Sequence, residues 1–313
     1  LTLTATELAG LYMSSTKNVE FKHGIVAEFI LMNPVDGTTD APIPIEVKAY
    51  DQFNNLATTS QSDVTLVTTG SAAGAGVVDV VNGIGTLNIS DTVAETVGLT
   101  LTNGGSGVDV TSAQDVVFGP GTPARFDIVD PTDTNVLATT IVTVKAVDNF
   151  GNTVPTFQTD VTLVASGQAT GGGVVNIVNG VGTLTIANQK AETVTLSLID
   201  HLATNLNVSG TQNVVFTAGP ADKFTILTPV NGSTDTPVSV TVEVHDIYGN
   251  KVLTYSNDVT LAATGSASGE GLVNISAGTG SLTLSDNVSE TVTLTLNDTQ
   301  STGLDVSSTK NVF

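Results

Sequence analysis

The chain contains no cysteine and no tryptophan, and only nine of its 313 residues are lysine or arginine. Without cysteine it forms neither disulfides nor thiolate metal sites, and a cysteine nucleophile is excluded. The few cations stand against 30 aspartates and glutamates, for a formal charge of −21. Nucleic acid is therefore not a partner, because displacing phosphate counterions needs a basic surface. No apolar run approaches the roughly 18 residues of a membrane-spanning helix, so no membrane insertion is expected in this segment. The opening "LTLTATEL" has neither an initiator Met nor a signal peptide, and reads as a chain processed or cut from something longer.

What is abundant is Thr, Ser and Val in short alternating stretches, a composition suited to a pleated, half-buried surface. Hydrophobic residues make up 40% of the chain, enough for real cores. Self-similarity is plain. "SDVTLVTTG" at Ser62 returns as "TDVTLVASG" at Thr159 and "NDVTLAATG" at Asn257. "DQFNN", "DNFGN" and "DIYGN" begin at Asp51, Asp148 and Asp246, and "AETV", "AETV" and "SETV" place Glu95, Glu192 and Glu290 in step. Every series advances by 97 and then 98 residues, the signature of tandem units.

"SSTKNV" occurs at Ser14 and again at Ser307. In register, residues 1–21 match the end of a repeat, so they are expected to be the C-terminal strands of a preceding, incomplete repeat. Repeats follow at 22–118, 119–216 and 217–313. The other reading of the orphan tail is a strand donated to a neighbouring chain. That scheme needs an acceptor lacking a strand, whereas each repeat here carries its full set.

Within the second repeat, "ARFDIVD", "TTIVTVKAVD", "DVTLVAS", "GGVVNIV", "VGTLTIA", "ETVTLSLID" and "LNVSGTQNVVF" alternate apolar and polar residues with the period of a strand. Asn-Gly in "VNGIGTL" and "VNGVGTL" marks tight hairpins. Seven short strands in about 100 residues predict an all-β fold of tandem seven-stranded immunoglobulin-like β-sandwiches arranged end to end. With no Cys–Trp–Cys pin, the middle core is expected to rest on Phe126, Val144, Leu163, Val175, Leu184, Ile186, Val194, Leu196 and Val215.

The D-x-[FY]-[GN]-N turn, the "DVTL" strand and the "NGxGTLxI" hairpin together resemble tandem bacterial immunoglobulin-like repeats of the invasin and intimin type, found in large prokaryotic surface proteins. The resemblance covers essentially the whole chain. It implies that most repeats act as spacers, with receptor binding in specialised terminal domains, none of which is visible in this sequence.

The connectors "FKHGIVAEF", "FGPGTPARF" and "FTAGPADKF" set Phe to Phe eight residues apart, too short and too rich in Pro and Gly for a floppy tether. Stacked repeats would form a stiff rod. Stacking is also expected to bring Glu95 towards Asp148 and Asp160, and Glu192 towards Asp246 and Asp258. Hard oxygen ligands meeting at a joint would suit Ca²⁺. Against this, the aspartates can simply form turns, and no D-x-D-x-D-G loop occurs. No other cofactor is expected.

Catalytic chemistry finds no footing. His23, His201 and His245 fall at unrelated places in the period. Asp200 and His201 are adjacent, and adjacent strand residues face opposite ways. The Gly-rich "GSAAGAG" and "GQATGGG" lack the Lys and helix of a phosphate cradle. Lys48 and Lys145 occupy equivalent positions, as a repeated Lys–Asn isopeptide crosslink would require, but Glu243 stands there in the third repeat. Six glycosylation sequons are about what chance gives.

The chain is thus expected to be a non-enzymatic segment of an extracellular or cell-surface repeat protein, acting as a stalk or filament body. Its partners would be further repeats of the same polypeptide, with lateral self-association into a filament or sheath. One alternative is an adhesin module binding through the variable loops "TNGGSGVDV", "IDHLATNLNV" and "NDTQSTGLDV"; another is a noncatalytic appendage of a secreted enzyme.

Overall fold

A computed structural model describes residues 2, 16–103, 105 and 107–313. Most of the tail expected at 1–21, and part of the variable loop from Thr102, lie outside the described residues. No helix appears among those described, and none is long and apolar enough to cross a membrane.

The second repeat shows how the alternating stretches resolve. Arg125–Val129 pairs antiparallel with Thr139–Val147, which pairs with Val181–Ala187 on its other side. A second sheet runs Thr134–Asn135, Gln212–Thr217, Glu192–Ile199, Val161–Ala165, Gly173–Val175. Its first, two-residue strand pairs parallel with the last strand and is the one element that alternation does not reveal, being too short to carry a period. The first repeat repeats this order, with Val26–Leu31, Ile43–Asp51 and Ile84–Ile89 in one sheet and Gly37–Thr38, Ala113–Gly119, Thr96–Thr102, Val64–Thr68 and Gly76–Val78 in the other. In the third, Lys223–Ile226, Val238–His245 and Thr279–Leu284 face Gly271–Val273, Val259–Ala263, Val292–Asn297 and Lys310–Val312. Two sheets facing one another, each apolar on its inner face, form an immunoglobulin-like sandwich.

Three separate apolar cores follow, running from Phe29 to Phe118, from Phe126 to Phe216 and from Phe224 to Val312. Each buried aliphatic side chain contributes roughly 1.5–3 kcal/mol, so a core of this kind needs no disulfide. In the middle core Phe126, Val144, Leu163, Val175, Ile186, Val194 and Leu196 are buried, and Leu184 packs against them half-buried. Val215 is a correction. It faces solvent, while its neighbours Val214 and Phe216 are buried. In "NVVF" two adjacent valines offer both faces equally, and the fully buried Phe216 decides which one turns inward.

The hairpins are as the Asn-Gly pairs predict. Asn82 and Gly83 have φ of 56° and 79°, Asn179 and Gly180 of 52° and 77°. The third repeat makes the same left-handed turn with Ala277 at φ 50° followed by Gly278 at 70°. A side chain on the glycine of these turns would run into the carbonyl of Ala57, Val154 or Val252.

Grouped by contact, the described chain forms two compact units. One is Leu1–Thr122 with Asp148–Asn152, the other Pro123–Val147 with Thr153–Phe313. The turn Asp148–Asn152 thus lies in the second repeat by sequence but packs within the first unit.

Candidate functional site

The D-x-[FY]-[GN]-N turns are built identically. Asp51 Oδ1 accepts the N–H groups of Phe53 and Asn55, both at 2.9 Å. Asp148 does the same for Phe150 and Asn152, at 2.9 and 2.8 Å, and Asp246 for Tyr248 and Asn250. The fourth residue sits in the left-handed region, with φ of 64° at Asn54, 93° at Gly151 and 86° at Gly249. This is why only Asn and Gly occur there.

The second carboxylate oxygen reaches into the connector. Oδ2 of Asp51, Asp148 and Asp246 accepts the N–H of Gly24, Gly121 and Gly219 at 2.7, 2.8 and 2.9 Å. Asp148 also takes the hydroxyl of Thr39 at 2.8 Å. All three aspartates are essentially inaccessible to solvent. The N–H of Gly24 above all, then the backbone of Asn55, holds the Asp51 carboxyl well below the usual range. At Asp148 and Asp246 burial opposes ionisation, and the donors led by Asn152 and Asn250 outweigh it, so both carboxyls also lie low.

The asparagine closing the second and third turns reaches the preceding repeat. Asn152 Oδ1 accepts the N–H of Ala94 at 3.0 Å while its Nδ2 donates to the carbonyl of Thr92 at 2.9 Å. Asn250 makes the same pair with Ala191 N–H and Gln189 carbonyl, both at 2.8 Å. A primary amide carries one acceptor and two donors side by side, so it pairs with an exposed backbone segment much as a neighbouring strand would.

The loops gripped in this way hang on the glutamate column. Glu95 Oε1 accepts Ser71 N–H at 2.7 Å, Glu192 that of Gln168 at 2.8 Å and Glu290 that of Ser266 at 2.6 Å. The N–H of Gln168, followed by Lys190 and Asn188, brings the Glu192 carboxyl down to about 2. The glycine preceding each donor, Gly70, Gly167 or Gly265, lies directly under the carboxylate with positive φ. The Gly-rich stretches are therefore glutamate cradles.

The six carboxylates expected to meet around calcium are placed differently. Asp160 Oδ1 accepts Ile177 N–H and Asp258 Oδ1 accepts Ile275 N–H, each at 2.9 Å, pinning neighbouring strands. Asp148 and Asp246 are filled by N–H and O–H donors, while Glu95 and Glu192 are turned through Oε1 onto loops of their own repeats. Among the described residues no three His, Asp or Glu side chains converge as a cation shell. The physical reason is that donors already occupy both oxygens of Asp148 and Asp246, and that Asp160, Asp258, Glu95 and Glu192 are each turned onto a backbone N–H of their own repeat. Asp200 accepts the N–H groups of Thr204 and Asn205, while His201 pairs with Thr162. Sequence reading found the Asp and Glu columns but overlooked the Asn column at 55, 152 and 250. Its signal was present as the last letter of every turn.

Comparison with known proteins finds similar chains among solved structures. Among solved structures the chain is similar to FdeC, an Escherichia coli adhesin, at 16% identity and a TM-score of 0.42, over 94% of this chain and 100% of that one. The chain resembles bacterial immunoglobulin-like adhesins. Invasin, a bacterial integrin-binding protein, matches at 17% identity and a TM-score of 0.39, over 91% of this chain and 59% of its own. InvD of Yersinia pseudotuberculosis matches at 15% and 0.38, over 90% and 96%. No family model matches the chain, and neither does any curated protein sequence.

Proposed function

We propose that this adhesin-like chain is a structural, non-enzymatic segment of a cell-surface repeat protein. Its repeats at 22–118, 119–216 and 217–313 act as a stalk or filament body. The observation that carries this reading is the asparagine clamp. Asn152 and Asn250 each grip the loop of the preceding repeat through a donor and an acceptor, while Asp148 and Asp246 fasten the connector to the same turn. At the third repeat the amide of Asn250 and the carboxylate of Asp246 restrain a connector of a few residues within one unit. A binding module would be expected instead to concentrate aromatic or arginine anchors on its loops, and the variable loop Ile199–Val208 carries neither.

The test is small-angle scattering of the chain beside the double variant Asn152→Ala, Asn250→Ala. A stiff segment gives one narrow distribution of interatomic distances, and the variant a broader and shorter one. If both give the same broad distribution, the repeats are loosely strung and the stalk reading is wrong. Protease accessibility on intact cells of the source would test the surface location.

A further inference from the structure

The loop that ends in the glutamate column is stabilised in two different ways. In the second repeat, Asn188 Oδ1 accepts Lys190 N–H at 2.9 Å and its Nδ2 donates to Glu192 Oε1 at 3.1 Å. Lys190 Nζ then neutralises Glu192 through Oε2 at 2.9 Å. In the first and third repeats the asparagine becomes Asp91 and Asp286, and the lysine becomes Val93 and Val288.

The backbone around the substituted residue is unchanged. Asp91 and Asp286 Oδ1 accept the N–H groups of Val93 and Val288, both at 2.9 Å, just as Asn188 does for Lys190. The other oxygen, Oδ2, therefore stands where the second repeat has a donor aimed at the glutamate. Ser71 Oγ touches both carboxylates of the first pair, at 2.7 Å to Asp91 and 2.9 Å to Glu95. Ser266 does the same for Asp286 and Glu290, at 2.7 and 2.8 Å. Asp91 is 3% exposed, and Oδ2 of both aspartates is buried with no hydrogen-bond partner. Each pair of carboxylates thus shares a single hydroxyl proton, and the second aspartate oxygen has no donor. A buried carboxylate left in that state is expensive.

We propose that Asp91 with Glu95, and Asp286 with Glu290, each bind one divalent cation such as calcium, which takes the place that Asn188 and Lys190 fill in the second repeat. Two carboxylates and water suit a hard cation, and two charged ligands are few, so the affinity belongs to the weak extracellular class, about 10⁻⁴ to 10⁻³ M. Asp286 and Glu290 line an open cleft, which gives the ion a route in. These sites lie inside single repeats, in the loop leading to the glutamate column, and leave out Glu192, Asp148, Asp160, Asp246 and Asp258.

The experiment is calorimetric titration of calcium chloride into the full chain after chelator treatment. Two equivalent sites are expected. Asp91→Asn and Asp286→Asn should each remove one, and the double variant both; since Asn is what the second repeat uses, these variants should fold. Glu192→Gln should keep both sites. The proposal is overturned if no binding or thermal shift appears up to about ten times the expected dissociation constant, or if the double variant keeps its stoichiometry. It is also overturned if the wild-type midpoint follows pH but not calcium, which would put a shared proton between the carboxylates.

Discussion

Replacing Asp246 by Asn changes one atom and should cost the third repeat much of its stability. Asp246 is wholly buried, and its two oxygens accept Tyr248 N–H, Asn250 N–H, Gly219 N–H and the Asn250 side-chain amide. An asparagine keeps one oxygen for the first two. Its NH₂ then faces the Gly219 N–H, 2.9 Å away, and the amide of Asn250, also 2.9 Å away, donor against donor. Two bonds to a charged acceptor are lost, each worth about 1.5–3 kcal/mol. Burying an amide in place of a carboxylate offsets part of this, leaving a net loss of about 3 kcal/mol. For a domain of this size that is a fall of about 12–24 °C in one calorimetric transition of the full chain. Asp258→Asn is the control. Asp258 accepts Ile275 N–H through Oδ1, which an amide oxygen does equally well, so its transition should move by less than about 1 kcal/mol. Equal effects of the two variants, or a loss below about 1 kcal/mol for Asp246→Asn, would refute the claim that this carboxylate organises the turn.

The depressed carboxyls set an acid limit. Asp51, Asp148, Asp246 and Glu192 contribute stability that is present above the unfolded carboxyl range near pH 4 and is lost as pH falls through their lower folded values. The melting temperature should therefore be level from about pH 8 to 5 and fall below about pH 4; a midpoint unchanged down to pH 2 would count against these bonds. At the third hairpin, Ala277→Asn should raise stability by about 1 kcal/mol, since alanine bears the left-handed cost that Asn82 and Asn179 avoid. Denaturant titration reads this directly, and no gain would mean the turn relaxes. For the register of the last strand, Val214→Asp should unfold the middle repeat while Val215→Asp is tolerated, as circular dichroism would report.

Much of the fold was legible because alternation, Asn-Gly turns and a fixed period are local signals that repeat three times. Legibility failed where the signal was too short or too symmetrical. Thr134–Asn135 is a two-residue strand, defined by its parallel partner Phe216–Thr217 and by nothing in its own residues. Val214 and Val215 are chemically identical, and only the core position of Phe216 separates them.

The site was harder to read because its charges looked like ligands and its amide looked like a turn residue. A column of aspartates in an acidic chain invites a cation, yet a carboxylate can be satisfied equally well by backbone N–H groups. The sequence does not show where those donors lie. Gly24, Gly121 and Gly219 sit 27 residues from the aspartates they serve, far beyond any local pattern. The primary amide of asparagine can bond the Asp of its own turn and still present a donor and an acceptor outward. Asn152 and Asn250 use both properties at once. In a chain without cysteine or tryptophan, a neutral amide joins repeats where a salt bridge would need cations that the composition hardly supplies. The same scarcity shows in the loop before the glutamate column, where one lysine serves the second repeat and its two counterparts leave an aspartate oxygen without a donor.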